Sequence, residues 1–142
     1  MSNFAFWFIQ IPGWALLFYL LIAQCIPAFS YQIGIRMGTQ EPAESITDVG
    51  VAFFKGFAVG DLVVYVPLLS LGLVGQIVQA DWAQLMLGAA LGVTIYWPVV
   101  CLLAVRSARN ASGWSLPKEE QYWIVLPIIS LWGICGLVLM LG

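Results

Sequence analysis

Four apolar stretches divide this chain, and its charged side chains fall in short clusters between them. A helix rising 1.5 Å per residue needs about 20 apolar residues to cross the roughly 30 Å hydrocarbon core of a bilayer. The stretches, at about residues 4–33, 50–78, 82–105 and 121–141, all meet that length. The segment from Met1 to Ile35 carries no charge, the second stretch is interrupted only by Lys55 and Asp61, and the third and fourth carry none. With 62% of residues hydrophobic and 8% charged, a water-soluble domain of 142 residues could not cover itself with polar surface. The expected fold is an all-α integral membrane protein in which residues 1–142 form one domain. Its four transmembrane helices form a bundle with antiparallel neighbours, several of them proline-kinked.

A cleaved signal peptide is disfavoured, because Met1, Ser2 and Asn3 supply no positive n-region and no small-x-small cleavage site follows. The run Leu21 to Cys25 has only a faint likeness to a lipoprotein box, since bulky Gln24 stands where a small residue should precede the cysteine.

Several function classes drop out on composition. A net charge of −2, with five Lys and Arg residues not gathered into a stripe, argues against nucleic acid. Cys25, Cys101 and Cys135 sit singly inside apolar runs, with no CxxC spacing, and read as small buried hydrophobes. The chain has no histidine, which removes the commonest metal and haem ligand and the usual general base. No cofactor and no metal are therefore expected.

The loops carry orientation and capping signals. Arg36 closes the first stretch, a polar segment with Glu41, Pro42 and Glu44 follows, and Ser45 with Asp48 forms an S-x-x-D signature for the start of the second helix. The turn at Asp81 is short enough to force a helical hairpin. Pro117 suits the first turn of the last helix, where Glu119 and Glu120 would face its positive end. Lys and Arg are concentrated at residues 36–49 and 106–120, so these loops should be cytoplasmic and both termini and the Asp81 turn non-cytoplasmic. Lys55 can snorkel to the cytoplasmic side, and Trp7, Trp82, Trp114 and Trp123 fall at the boundaries. The Asn110-Ala111-Ser112 sequon then faces the cytoplasm and stays unmodified.

Asp61 is the leading candidate for function. It lies about halfway along the second stretch, where an acid costs roughly 2.5–3.5 kcal/mol on insertion scales unless it faces the bundle interior or water. Tyr65, four residues on, shares its helix face. Thr94 and Tyr96 on the third stretch and Ser130 on the fourth reach about the same depth. An acid among hydroxyls can coordinate a cation, hold a proton or bind a cationic head group, and desolvation favours the protonated form. The alternative is that Asp61 bonds a neighbouring helix and only fixes packing. Lys55, six residues away, is about a third of a turn off that face and is not expected to pair with it.

Gly56 with Gly60 and Gly88 with Gly92 form two GxxxG patterns, which serve contact between copies or close packing within one bundle, or arise by chance in a chain with 14 glycines. Pro12, Pro27, Pro67, Pro98 and Pro127 place a proline in every stretch. Tyr65-Val66-Pro67 and Tyr96-Trp97-Pro98 are a short echo of the inverted repeats found in transporters.

These features lead to an expected small polytopic transporter or channel subunit, oligomeric, moving a cation or proton past Asp61. Its expected partners are the lipid bilayer and a further copy of itself or another membrane protein. One rival is a non-catalytic accessory or assembly subunit of a larger membrane complex. Another is an intramembrane enzyme acting on a lipid or quinone, against which stands the lack of histidine, nucleophile motifs and phosphate-binding glycine loops.

Overall fold

A computed structural model describes residues 2–142, and every regular element in it is helical. Helix α1 covers Asn3–Phe29, α2 Tyr31–Arg36, α3 Ala43–Ile77, α4 Ala83–Ala108 and α5 Glu119–Leu141. All but α2 are long and apolar enough to cross a membrane. Helix α1 stops at Phe29, short of the expected limit at residue 33, whereas α3 and α5 begin before their apolar stretches and α4 ends after its own, each taking in a polar turn that still satisfies helical hydrogen bonding.

Local chemistry explains where the helices start, stop and bend. Ser2 caps α1, its Oγ accepting from the Ala5 N–H at 3.1 Å. Extended backbone at Ser30 separates α1 from α2. In α3, Ser45 does not cap, which corrects the S-x-x-D expectation. The helical path breaks instead at Thr47, where φ is 68°. Thr47 Oγ1 accepts from the Gly50 N–H at 3.5 Å, so the cap falls two residues later than the signature implies. Pro117 lies just before α5, whose first turn holds Glu119 and Glu120.

Both α1 and α3 contain a five-residue π-helical turn, at Leu21–Cys25 and Asp61–Tyr65. In each case a proline, Pro27 or Pro67, stands six residues after the turn begins. Proline cannot donate to the carbonyl four residues back, and widening the turn relieves the ring clash there. At the first turn the orphaned Ala23 carbonyl is satisfied from outside, by Gln40 Nε2 at 3.1 Å. At the second, the Val66 N–H reaches back five residues to the Asp61 carbonyl. The two turns touch each other. Pro12, Pro98 and Pro127 lie in uninterrupted α-helix.

The core lies where α1, the second half of α3 and α4 meet. It consists of Ile9, Leu16, Leu17, Leu20, Tyr65, Val66, Leu69, Leu73, Leu87, Ala90 and Leu91. Gln10, 2% exposed, ties α1 to α3: its Nε2 donates to the Leu73 carbonyl at 3.1 Å and to Gln76 Oε1 at 3.0 Å. Its Oε1 accepts from Trp14 Nε1 at 2.8 Å. Helix α5 packs on α4, and Trp132 Nε1 donates to the Phe8 carbonyl at 3.0 Å to tie it to α1. At the π-turn α3 changes partners. Its second half packs on α4, while its first half packs on the end of α1 and stands away from α4 and α5.

Candidate functional site around Asp61

Asp61 opens the π-turn of α3 and is 8% exposed. Its carboxyl makes no hydrogen bond or ion pair with any described residue, the ion pair found among them being Arg109 with Glu119 near the start of α5. Lys55 is exposed and makes no ion pair with Asp61 or any other described residue. The Asp61 carboxyl oxygens are not among the fully enclosed unpartnered polar atoms and keep a small accessible surface, but an almost buried carboxyl without donors is still costly unless it is protonated or meets a ligand.

Tyr65 and Thr94 are brought together, 1% and 0% exposed, with their hydroxyl oxygens 2.5 Å apart. The proton direction follows from counting. The Thr94 hydroxyl donates to the Ala90 carbonyl at 2.8 Å, so Thr94 has no second proton to offer and Tyr65 donates to it. The Tyr65 hydroxyl is thus committed to Thr94 and not to the Asp61 carboxyl. The buried indole N–H of Trp97, one turn further along α4, lies beside the same hydroxyl without a completed hydrogen bond. Asp61 lies within electrostatic range of the Tyr65 hydroxyl and the Cys101 thiol.

The remaining sequence candidates divide. Ser130, 9% exposed, closes the site from α5 by donating to the Ile95 carbonyl at 3.3 Å. Gly133 lets α5 approach there, since a Cβ at that position would meet the Thr94 Cβ at 3.3 Å. Tyr96 is not part of the site. It is 67% exposed, because two residues along an α-helix from Thr94 is more than half a turn around. Within the Tyr96-Trp97-Pro98 echo, Pro98 and the Trp97 indole N–H are buried and only Tyr96 faces out, so Tyr96 does not match the buried Tyr65.

The GxxxG glycines are not where the helices of this chain meet. A Cβ at Gly56, Gly60 or Gly92 would meet nothing within 4 Å, and one at Gly88 only the tip of Met140 at 3.9 Å. The close approaches are made elsewhere, by Gly72 against the Leu87 backbone, Gly75 against Ala83, and Gly136 against Leu91.

A second polar cluster sits where the two longer loops meet, and the sequence reading did not single it out. Tyr31 donates to the Glu41 carbonyl at 2.9 Å, and Tyr122 reaches the Glu41 carboxylate at 3.5 Å. Burial, and secondarily the Glu41 charge, pushes the Tyr31 phenol up to about 12. The Ser115 N–H donates to the Ser45 carbonyl at 2.6 Å, joining the loops. The available sequence signal was Glu41 in a segment that ends one stretch and begins another. Nothing local indicated that a tyrosine 81 residues away would reach it.

Among the described residues no three cysteine or carboxylate side chains gather as a metal site. All three cysteines are free, Cys25 and Cys101 partly buried and Cys135 exposed. Cys135 thus departs from the expected burial, because it faces outward from α5. No family model, curated protein or solved structure matches the chain.

Proposed function

We propose that this chain is a small polytopic membrane transporter or channel subunit that self-associates and moves a cation or proton past Asp61. The observation that carries the reading is the carboxyl itself: buried, at a wide turn ahead of a proline, and without a donor or cation from its own chain. Discontinuous helices and an intramembrane acid are how membrane proteins assemble ion and proton sites, because a broken helical turn frees backbone oxygens beside the charged group.

The four long helices are taken to cross the bilayer as antiparallel neighbours. Loops 36–49 and 106–120 face the cytoplasm, and both termini face away from it, by the distribution of Lys and Arg. Large exposed side chains such as Phe18, Val63, Leu103 and Ile128 are suited to lipid as their solvent. Leu69, Leu73, Leu87 and Leu91, all 0% exposed, fill the interior beyond the Asp61 level, so a pathway belongs between copies of the chain. The unoccupied Gly56/Gly60 and Gly88/Gly92 faces support such an assembly, since they let helix backbones of separate chains approach closely.

The test is cation and proton flux in liposomes, comparing the wild type with Asp61→Asn. The reading expects flux in the wild type and its loss in the variant at equal helicity. Equal flux in both, or none in either, overturns it. The same glycine faces favour one other reading, an accessory subunit docked on a larger membrane complex. A native mass in mild detergent separates the two, a multiple of 15.6 kDa supporting self-association and a stoichiometric foreign protein supporting the accessory role.

A further inference from the structure

The first half of α3 stands away from α4 and α5, and the space left between them is a partly open cavity of about 230 Å³. Its walls are apolar: Phe53, Phe54 and Phe57 from α3, Ala104 and Val105 from α4, with Tyr122 from α5 beside them. Thr47 and Trp114 stand at one end, by the joined loops, and Phe57 and Cys101 at the other, next to the Asp61 level. Such a lining offers water too few partners to hold it, and an apolar cavity of this kind fills with an apolar ligand or stays empty.

We infer that this cavity binds one hydrocarbon chain of a membrane amphiphile, an acyl or prenyl tail, entering from the leaflet on the loop side. Length supports this occupant. From Thr47 to Phe57 the helix rises about 15 Å at 1.5 Å per residue, half of a roughly 30 Å hydrocarbon core and so the depth of one leaflet. The Thr47 and Trp114 end lies by the loops, whose exposed Asp48 and Arg109 suit a head group, and the Phe57 and Cys101 end lies about one leaflet's depth from it. A second helix is too bulky for the space, because a helix with its side chains is about 10 Å across and a length of about 15 Å takes up several times the 230 Å³ available. This inference stands apart from the transport reading: it rests on the cavity and not on what Asp61 carries. One consequence links them, in that a bound tail would shield Asp61 from water on the loop side.

The experiment uses the full chain in phosphatidylcholine vesicles doped with a fatty acid carrying a photoreactive group at its chain terminus. Crosslinked residues are mapped by mass spectrometry. The expected result is a several-fold enrichment of adducts at Phe57, Cys101 and Ala104 over the lipid-facing residues Val63 and Ile128, with the enrichment lost in Ala104→Trp. Adducts spread evenly over exposed residues overturn the inference, as does intermolecular crosslinking of this face to a second copy. A parallel measurement leaves the cavity lining unaltered: with Cys25→Ser and Cys135→Ser, Cys101 should react with a lipid-partitioning maleimide and resist a charged thiol reagent. Rapid reaction with the charged reagent would show a water-filled cavity and overturn the inference without touching the flux result at Asp61.

Discussion

Gln10 is the residue whose removal should be felt most at a distance, because one amide meets Leu73, Gln76 and Trp14 at once. Gln10→Ala leaves the Trp14 indole without its acceptor and should cost about 1–3 kcal/mol, read as a lower melting temperature in detergent. Tyr65→Phe is milder, since Thr94 keeps its own bond to Ala90, and about 1 kcal/mol is expected from the same measurement. At the loop boundary the sign of a pH effect is set by Tyr31. Its neutral phenol is favoured in the fold, so stability is intact below tyrosine's ordinary value of about 10 and falls as pH rises towards about 12. Tyr31→Phe should remove that part of the alkaline loss. Asp61 itself was legible in the sequence as the one acid deep in an apolar stretch. Its lack of a partner was not legible, because whether a hydroxyl turns to it or elsewhere depends on Thr94, 33 positions away in the chain.

Among the helices, glycine position decides between clash and tolerance. A Cβ at Gly72 would stand 2.7 Å from the Leu87 Cα, and backbone cannot step aside as a side-chain tip can. Gly72→Ala should destabilise the protein by about 1–3 kcal/mol in detergent unfolding. Gly56→Ala and Gly60→Ala meet open space, and in an isolated chain each should be neutral or stabilising by up to about 1 kcal/mol. If copies meet there, isoleucine at both positions lowers the native mass to that of one chain while helicity is unchanged. Sequence spacing could not say which glycines meet a neighbouring helix, because GxxxG states only that a helix face is flat. Which flat face meets a neighbour is set by the rotation of each helix, and the π-turn at Asp61–Tyr65 alters that rotation midway along α3.

For the whole molecule, the two loops act as a clasp. Gly113 has φ +77° and a Cβ there would stand 2.7 Å from Thr47 Cγ2, while the Ser115 to Ser45 bond runs alongside. Gly113→Ala is doubly unfavourable, in backbone conformation and in space. It should loosen the clasp and raise proteolytic nicking between residues 37 and 47 and between 109 and 118, leaving the core helices protected. The clasp also holds the mouth of the cavity, since Thr47 and Trp114 belong to both.

The number of long helices, their apolar character and their approximate limits followed from composition and spacing alone, because the demand for about 20 unbroken apolar residues is a local one. The isolated acid was equally plain. The tertiary structure alone decided which residues the acid lacks and which it lies near, that Tyr96 faces out, which glycines touch, and that half of one helix leans away to leave a cavity. These depend on how each helix is turned about its axis and which neighbour it meets, and a single residue's insertion at a π-turn changes both without altering hydropathy.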